Sequence, residues 1–84
     1  MYNVILKKSV KRFIRKLDKN SKEGIVKRLR LLRDNPRVGV PLHGKFKGLW
    51  KLRMGKYRAV YELNQKELII YILTIGHRKK VYPK

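Results

Sequence analysis

The sequence predicts a small α+β domain in the order β-α-α-β-β-β, with a mainly antiparallel sheet packed against a helical hairpin. Three observations carry this reading. Apolar residues recur at helical spacing between Val10 and Leu32, and at strand spacing from Leu49 to Ile75. A stretch from 36 to 48 with two prolines and three glycines separates the two regions. The chain of 84 residues has the length of one domain, so a single domain over 1–84 is expected.

Taken in order, Tyr2 to Lys7 is partly β-branched and alternates weakly, which suits a short strand. Ser9 is the candidate cap of a first helix. Val10, Phe13, Ile14 and Leu17 then fall at i, i+3, i+4 and i+7, with Lys11, Arg12, Arg15 and Lys16 on the opposite face. Asp18 to Ser21 breaks the pattern. Asn20 with Glu23 three residues later has the spacing of a capping box. Ile25, Leu29 and Leu32, flanked by Val26 and Leu31, form a second stripe, and Asn35-Pro36 is expected to end that helix. The loop after it has room for a short edge segment near Leu42. Leu49–Arg53 and Tyr57–Leu63 alternate and are separated by a tight turn at Gly55. Asn64–Lys66 marks the next turn. Leu68–Ile75 is almost wholly apolar, the pattern of a central strand covered on both faces.

The charge balance narrows the partners. Lys and Arg number 24 against 5 Asp and Glu, a formal charge of +19. A domain this basic repels itself and favours a polyanion: nucleic acid, an acidic protein or an anionic surface. An apolar content of 43% is too high for a disordered basic tail. Cysteine is absent, which excludes disulfides and Cys-ligated zinc. The start MYNVILKKSVKRF has no apolar run ending in a cleavage site, and no stretch reaches the length of a membrane span, so a cytoplasmic protein with no membrane role is expected.

Alternation groups the cations of the hairpin. Trp50 and Leu52 face one way, Lys51 and Arg53 the other. A two-residue loop at Gly55 brings Arg58 onto the Lys51/Arg53 face, and puts Tyr57, Ala59 and Tyr61 with Trp50 and Leu52. The last strand runs on to Gly76-His77-Arg78 and then Tyr82, which would approach the same region if it lies beside the hairpin. Like charges on one sheet face destabilise it unless an anion sits among them, and a phosphate suits Arg and Lys.

The chemistry open to this set is limited. Asp18, Glu23 and Asp34 sit at helix ends, and Glu62 and Glu67 flank a turn; none is spaced as a metal cage. No cofactor is expected. His43 reads as a loop residue, and Ser9 and Ser21 as caps. RNA carries its own nucleophile, the 2′-hydroxyl, which needs only positioning, deprotonation and charge stabilisation. A lysine crowded by cations can take the proton, and a Tyr, His or Lys can return one to the leaving oxygen. Residue types alone leave metal-free RNA cleavage and plain RNA binding both open.

The motifs resolve further by resemblance. The pieces LLRDNPR, LHGKFKGLWKLRMGKYRAVYEL and LIIYILTIGHRKKVY resemble the RelE toxins of the RelE/ParE superfamily, the toxic halves of type II toxin–antitoxin pairs. The resemblance implies a ribosome-dependent endoribonuclease that cuts mRNA in the A site, beside 16S rRNA, by metal-free 2′-hydroxyl attack, leaving a cyclic phosphate and inhibiting translation. It also implies a cognate RelB-like antitoxin. The family's two strand lysines fall on Lys51 and Arg53, the second a departure from Lys. Its next-strand arginine matches Arg58, and its arginine after the last strand matches Arg78. Its late tyrosine corresponds to Tyr82, with a spacing shorter by two. His77 stands where a related branch uses a histidine, so Tyr82 and His77 compete as general acid. The alternatives are a ParE-like gyrase inhibitor without nuclease activity and a basic RNA-binding module. Lys51, Arg53, Arg58, Arg78 and Tyr82 favour RelE, because a gyrase inhibitor does not need them.

Overall fold

The computed structural model describes residues 1–77. Its elements are β1 (Asn3–Leu6), α1 (Lys8–Arg15), α2 (Lys19–Leu31), β2 (Val40–Pro41), a single 3-10 turn (Gly44–Phe46), β3 (Leu49–Met54), β4 (Tyr57–Asn64) and β5 (Ile69–His77). The strands form one sheet in the order β1-β5-β4-β3-β2. Every pairing is antiparallel except β1 with β5, which is parallel. The expected α+β class and element order hold, and the edge segment of the loop is β2, just before Leu42.

Both helices pack on one face of the sheet. Val10 and Ile14 of α1, Ile25 and Leu29 of α2, and Leu32 meet Leu52, Met54, Tyr57, Ala59, Tyr61, Ile70, Ile72 and Ile75 of the sheet, all buried. Phe13, Leu17 and Trp50 close the margin of this core. The two apolar stripes read from the sequence are therefore the two helix faces that drive the fold.

The helix ends differ from expectation. Lys7, not Ser9, is the N-cap residue of α1, and it makes no side-chain cap bond; Ser9 lies inside the first turn. At α2 the cap is Asp18, whose Oδ2 accepts the backbone N–H of Ser21 at 3.1 Å. Asp18 precedes Asn20 in the chain and satisfies the orphan donor first, so no box forms on Asn20 and Glu23. The helix stops at Leu31, before Asn35-Pro36, and a turn carries Leu32 into the core.

β5 is central, as expected, but among the described residues helices cover only one of its faces. Ile70, Ile72 and Ile75 are buried on the helix side, while Ile69, Tyr71, Leu73 and Thr74 are half-buried. The alternation also slips. Val60 pairs with Thr74 but Tyr61 with Ile72, so Leu73 is an unpaired bulge residue. The slip turns Ile75 inward and Thr74 outward. Strict alternation would have done the reverse, and that mismatch of polarity was the signal available in the sequence.

Candidate nucleic-acid site on the open face of the sheet

The β3–β4 hairpin builds the site. Gly55 and Lys56 form its two-residue loop, and Gly55 takes φ +65°. A positive φ at the first central residue but not the second is the requirement of a type II′ turn, which glycine meets without strain. The loop fixes the register Arg53↔Arg58, Leu52↔Ala59, Lys51↔Val60 and Trp50↔Tyr61. Lys51, Arg53 and Arg58 thus share the open face, and Trp50, Leu52, Met54, Tyr57, Ala59 and Tyr61 share the helix side, as the alternation predicts.

The open face has a built floor. Val60, in register with Lys51 on one side and Thr74 on the other, is completely buried. Gly76 stands opposite Arg58 and brings no side chain. Arg58 is half-buried, and its Nε is buried with no hydrogen-bond partner among the described residues. A guanidinium N–H withdrawn from water without a partner is costly, and an anion beside Gly76 would satisfy it. Lys51 is half-buried and Arg53 exposed.

Two tethers hold the strand that carries these cations. The Tyr61 hydroxyl donates to the Pro36 carbonyl at 2.7 Å and accepts the Gly39 N–H at 3.2 Å, pinning the loop ahead of β2. Gly39 lies so near the sheet that an added Cβ would stand 2.5 Å from the Lys51 carbonyl oxygen. Val40 then pairs with Lys51. Beyond the end of β2, the Arg53 carbonyl accepts from Arg28 Nη2 of α2 at 3.1 Å. Sequence reasoning passed over Tyr61, Gly39 and Arg28 in these roles. The one available signal was Tyr61, a buried tyrosine whose hydroxyl must find a partner.

The bulge decides where His77 goes. His77 is in register with Tyr57, and their rings lie 5.0 Å apart. Tyr57 in turn meets Phe13 edge-on at 5.7 Å. His77 therefore ends an aromatic row on the helix side of the sheet, not beside Arg58. The sequence brings His77 to the region of the cations if the last strand lies beside the hairpin; the strand does lie there, and the slip at Leu73 puts His77 on the other side of the sheet. Arg78 and Tyr82 lie outside the described residues. Among the described residues no three His, Asp or Glu side chains gather as metal ligands, and no helix is long and apolar enough to cross a membrane.

A family model described as the ParE toxin of type II toxin–antitoxin systems matches residues 4–82. The chain belongs to this toxin family. Toxin RelG of Mycobacterium tuberculosis is 35% identical over 52 residues, which cover 62% of this toxin and 60% of RelG. The toxin thus spans less than two thirds of that relative's length. Among solved structures, the toxin–antitoxin complex RelBE2 of M. tuberculosis superposes with a TM-score of 0.81 at 29% identity, over 92% of this toxin and 91% of that chain. The isolated E. coli RelE toxin gives 0.79 at 21% identity over 92% and 84%. The archaeal RelE–RelB complex of Pyrococcus horikoshii gives 0.77 at 24% identity over 94% and 97%. The last two show a shared fold. Within that family, the chain is similar to toxins of the RelE type.

Proposed function

We propose that this toxin is a metal-independent endoribonuclease that cuts mRNA in the ribosomal A site and thereby stops translation. The observation that carries the reading is the buried Nε of Arg58, without a partner among the described residues, on one face with Lys51 and Arg53 and opposite Gly76. That arrangement supports a phosphate seat with cations around it.

In the proposed reaction the 2′-hydroxyl oxygen attacks the adjacent phosphorus. The 2′-O–P bond forms as the P–O5′ bond breaks, giving a 2′,3′-cyclic phosphate and a 5′-hydroxyl. Arg58 and Arg78 hold the scissile phosphate and neutralise the charge that develops on it. Lys51 takes the 2′-hydroxyl proton, since Arg53 is the poorer acceptor, and Arg53 adds positive charge. Tyr82 returns a proton to the 5′ oxygen. His77, on the other side of the sheet, receives no part in this scheme.

The related complexes from M. tuberculosis and P. horikoshii pair a toxin with its antitoxin. The likeness to the M. tuberculosis complex supports a RelB-like antitoxin as partner; the ribosome, mRNA and a cytoplasmic location belong to the activity proposed above. Primer extension on translating ribosomes tests the activity. Cuts in the A site that vanish in Arg58→Ala with Arg78→Ala are expected; cuts that persist in the double variant would sink the assignment. The ParE description of the matching family favours one other reading, gyrase inhibition without RNA cleavage. Loss of DNA supercoiling with mRNA intact would select it.

A further inference from the structure

The open face is not cationic along its whole length. Of the five acids in the chain, only Glu62 lies in a strand. It shares the open face with Arg58 and Val60, because β4 keeps its register against β3 without a break. Glu62 stands four positions beyond Arg58, roughly 13 Å along the strand. It is exposed, and it has no hydrogen-bond or ion-pair partner among the described residues. Glu67, the other acid at this end of the sheet, differs: Asn64 Nδ2 donates to its Oε1 at 2.9 Å. A bare carboxylate on a face that holds RNA opposes binding wherever a phosphate meets it. Where a neutral N–H meets it instead, it favours binding.

The surroundings of Glu62 suit a base. Across the sheet Ile5, Tyr71, Glu62 and Leu49 stand in one row. Tyr71 and Leu49 flank Glu62 on its two sides, both half-buried. Leu49, Glu62 and Asn64 also line a shallow hollow of about 550 Å³, together with Lys47 and Lys66. That volume lies in the range of small-ligand sites. An aromatic ring, an aliphatic flank, an acceptor and two cations thus meet at one end of the open face. These groups take a single-stranded nucleotide: rings stack on bases, lysines meet phosphates, and a side-chain acceptor reads the Watson–Crick edge.

We propose that Tyr71, Leu49 and Glu62 form a seat for one unpaired base of the bound RNA, and that Glu62 makes this seat select a base with an exocyclic amino group against uracil. Resting on the function proposed above, the base belongs to a nucleotide flanking the one that is cut, since Glu62 lies too far from Arg58 to meet the same nucleotide. An ionised carboxylate only accepts hydrogen bonds. Cytosine offers it the N4 amino group, and adenine and guanine offer amino groups of their own. Uracil offers one N–H between two carbonyl oxygens, which a carboxylate repels. Cytosine and uracil share a ring size and stack alike, so the edge that faces Glu62 is what separates them.

Two measurements on the full chain test the seat. Fluorescence anisotropy follows binding to labelled oligocytidylate and oligouridylate of equal length, and needs no cleavage. Primer extension follows cleavage on translating ribosomes, with messages in which each nucleotide flanking the cut is in turn C or U. The wild type should bind oligocytidylate on the order of tenfold more tightly, the effect of one hydrogen bond to a charged group. It should also cut more slowly when U stands at one particular flanking position. Glu62→Gln keeps the size of the side chain but can donate as well as accept. It should bring the binding ratio to about 1, by strengthening the hold on oligouridylate. A misfolded variant would not bind more tightly. Tyr71→Ala should weaken both oligomers about tenfold through lost stacking. Glu23→Gln, the same charge change on α2, should keep the wild-type ratio. A wild-type ratio near 1, or a Glu62→Gln ratio equal to that of the wild type, would overturn the seat. Base discrimination that depends on Glu62 without any cleavage leaves the seat standing and removes the nuclease. Cleavage indifferent to U at every flanking position removes the seat and leaves the nuclease, and a wild-type chain that neither binds nor cuts RNA removes both.

Discussion

Arg53 and Arg58 face each other across the β3–β4 hairpin, in register and on the same side of the sheet. In a two-residue hairpin the residues that flank the loop exchange hydrogen bonds, so the next pair, this one, is of the closer, non-hydrogen-bonded kind. Their Cβ atoms then lie about 5 Å apart, the spacing at which like charges oppose sheet formation. The fold places the two guanidinium stems side by side at a cost to itself. The phosphate seat proposed for this face gives that cost a purpose.

Stability and activity should therefore move in opposite directions at Arg58. Arg58→Met keeps the stem and removes both the repulsion and the buried Nε, which has no partner among the described residues. It should stabilise the protein by about 0.2–1 kcal/mol, raising the melting temperature by a few degrees. It should also slow mRNA cleavage by about 10²–10³-fold, the loss typical of one oxyanion-stabilising donor. Thermal melts and single-turnover cleavage read the two effects separately. A destabilised variant would mean that Arg58 serves the fold instead.

Much of this was legible in the sequence, because period and parity are local. The 3.6-residue stripes of Val10–Leu17 and Ile25–Leu32 named the helix faces correctly. The loop at Gly55 fixed the parity that groups Lys51, Arg53 and Arg58. What was not legible depends on contacts across the fold. One unpaired residue, Leu73, reverses the faces of Thr74 to His77 and puts His77 on the side away from Lys51, Arg53 and Arg58. The Tyr61–Pro36–Gly39 clamp joins residues more than 20 positions apart. The cap of α2 went to Asp18 through the chain's path into the helix, while Asn20 and Glu23 had the spacing without the position.

Tyr61→Phe isolates the clamp. The ring stays in the core and only the hydroxyl is lost, leaving the Pro36 carbonyl and the Gly39 N–H without their partner. A cost of about 1–3 kcal/mol is expected. Burial holds the Tyr61 hydroxyl above its ordinary value of 10.0, with the Gly39 N–H opposing this. Its neutral form therefore supports the fold fully below pH 10. That support is lost as pH rises through the value in the folded state. Denaturant unfolding at pH 8 and pH 11 should show a steeper alkaline loss in the wild type than in Tyr61→Phe. Parallel losses would mean that the hydroxyl does not titrate with unfolding.

Two glycine-to-alanine changes should carry opposite signs. In Gly39→Ala the new methyl would lie 2.5 Å from the Lys51 carbonyl oxygen and 2.8 Å from the Tyr61 hydroxyl, so the loop must move off β3. About 1–3 kcal/mol of destabilisation is expected, as for other overpacked sites. Gly24 lies in α2 with nothing within 4 Å of an added Cβ. Gly24→Ala should stabilise by about 0.5–1 kcal/mol through helix propensity alone. Equal effects at the two positions would contradict the packing described for Gly39.

The last prediction concerns pH at the start of α2. The Ser21 side chain, and then its backbone N–H, hold the Asp18 carboxyl below its ordinary value of 3.8. The charged form is thus the one the fold favours. Its contribution is present above pH 3.8 and is lost as pH falls through the lower value in the folded state. Asp18→Asn keeps an oxygen able to accept the Ser21 N–H but has no proton to gain. Melting temperatures measured from pH 6 downward should therefore fall more steeply in the wild type than in Asp18→Asn. Asp18→Ala should melt lower than the wild type at neutral pH, because the cap bond itself is gone. Asn20→Ala, at the other candidate cap, should leave the melt unchanged. A larger loss at Asn20 than at Asp18 would return the cap to Asn20 and Glu23, and with it the register of the whole helix start.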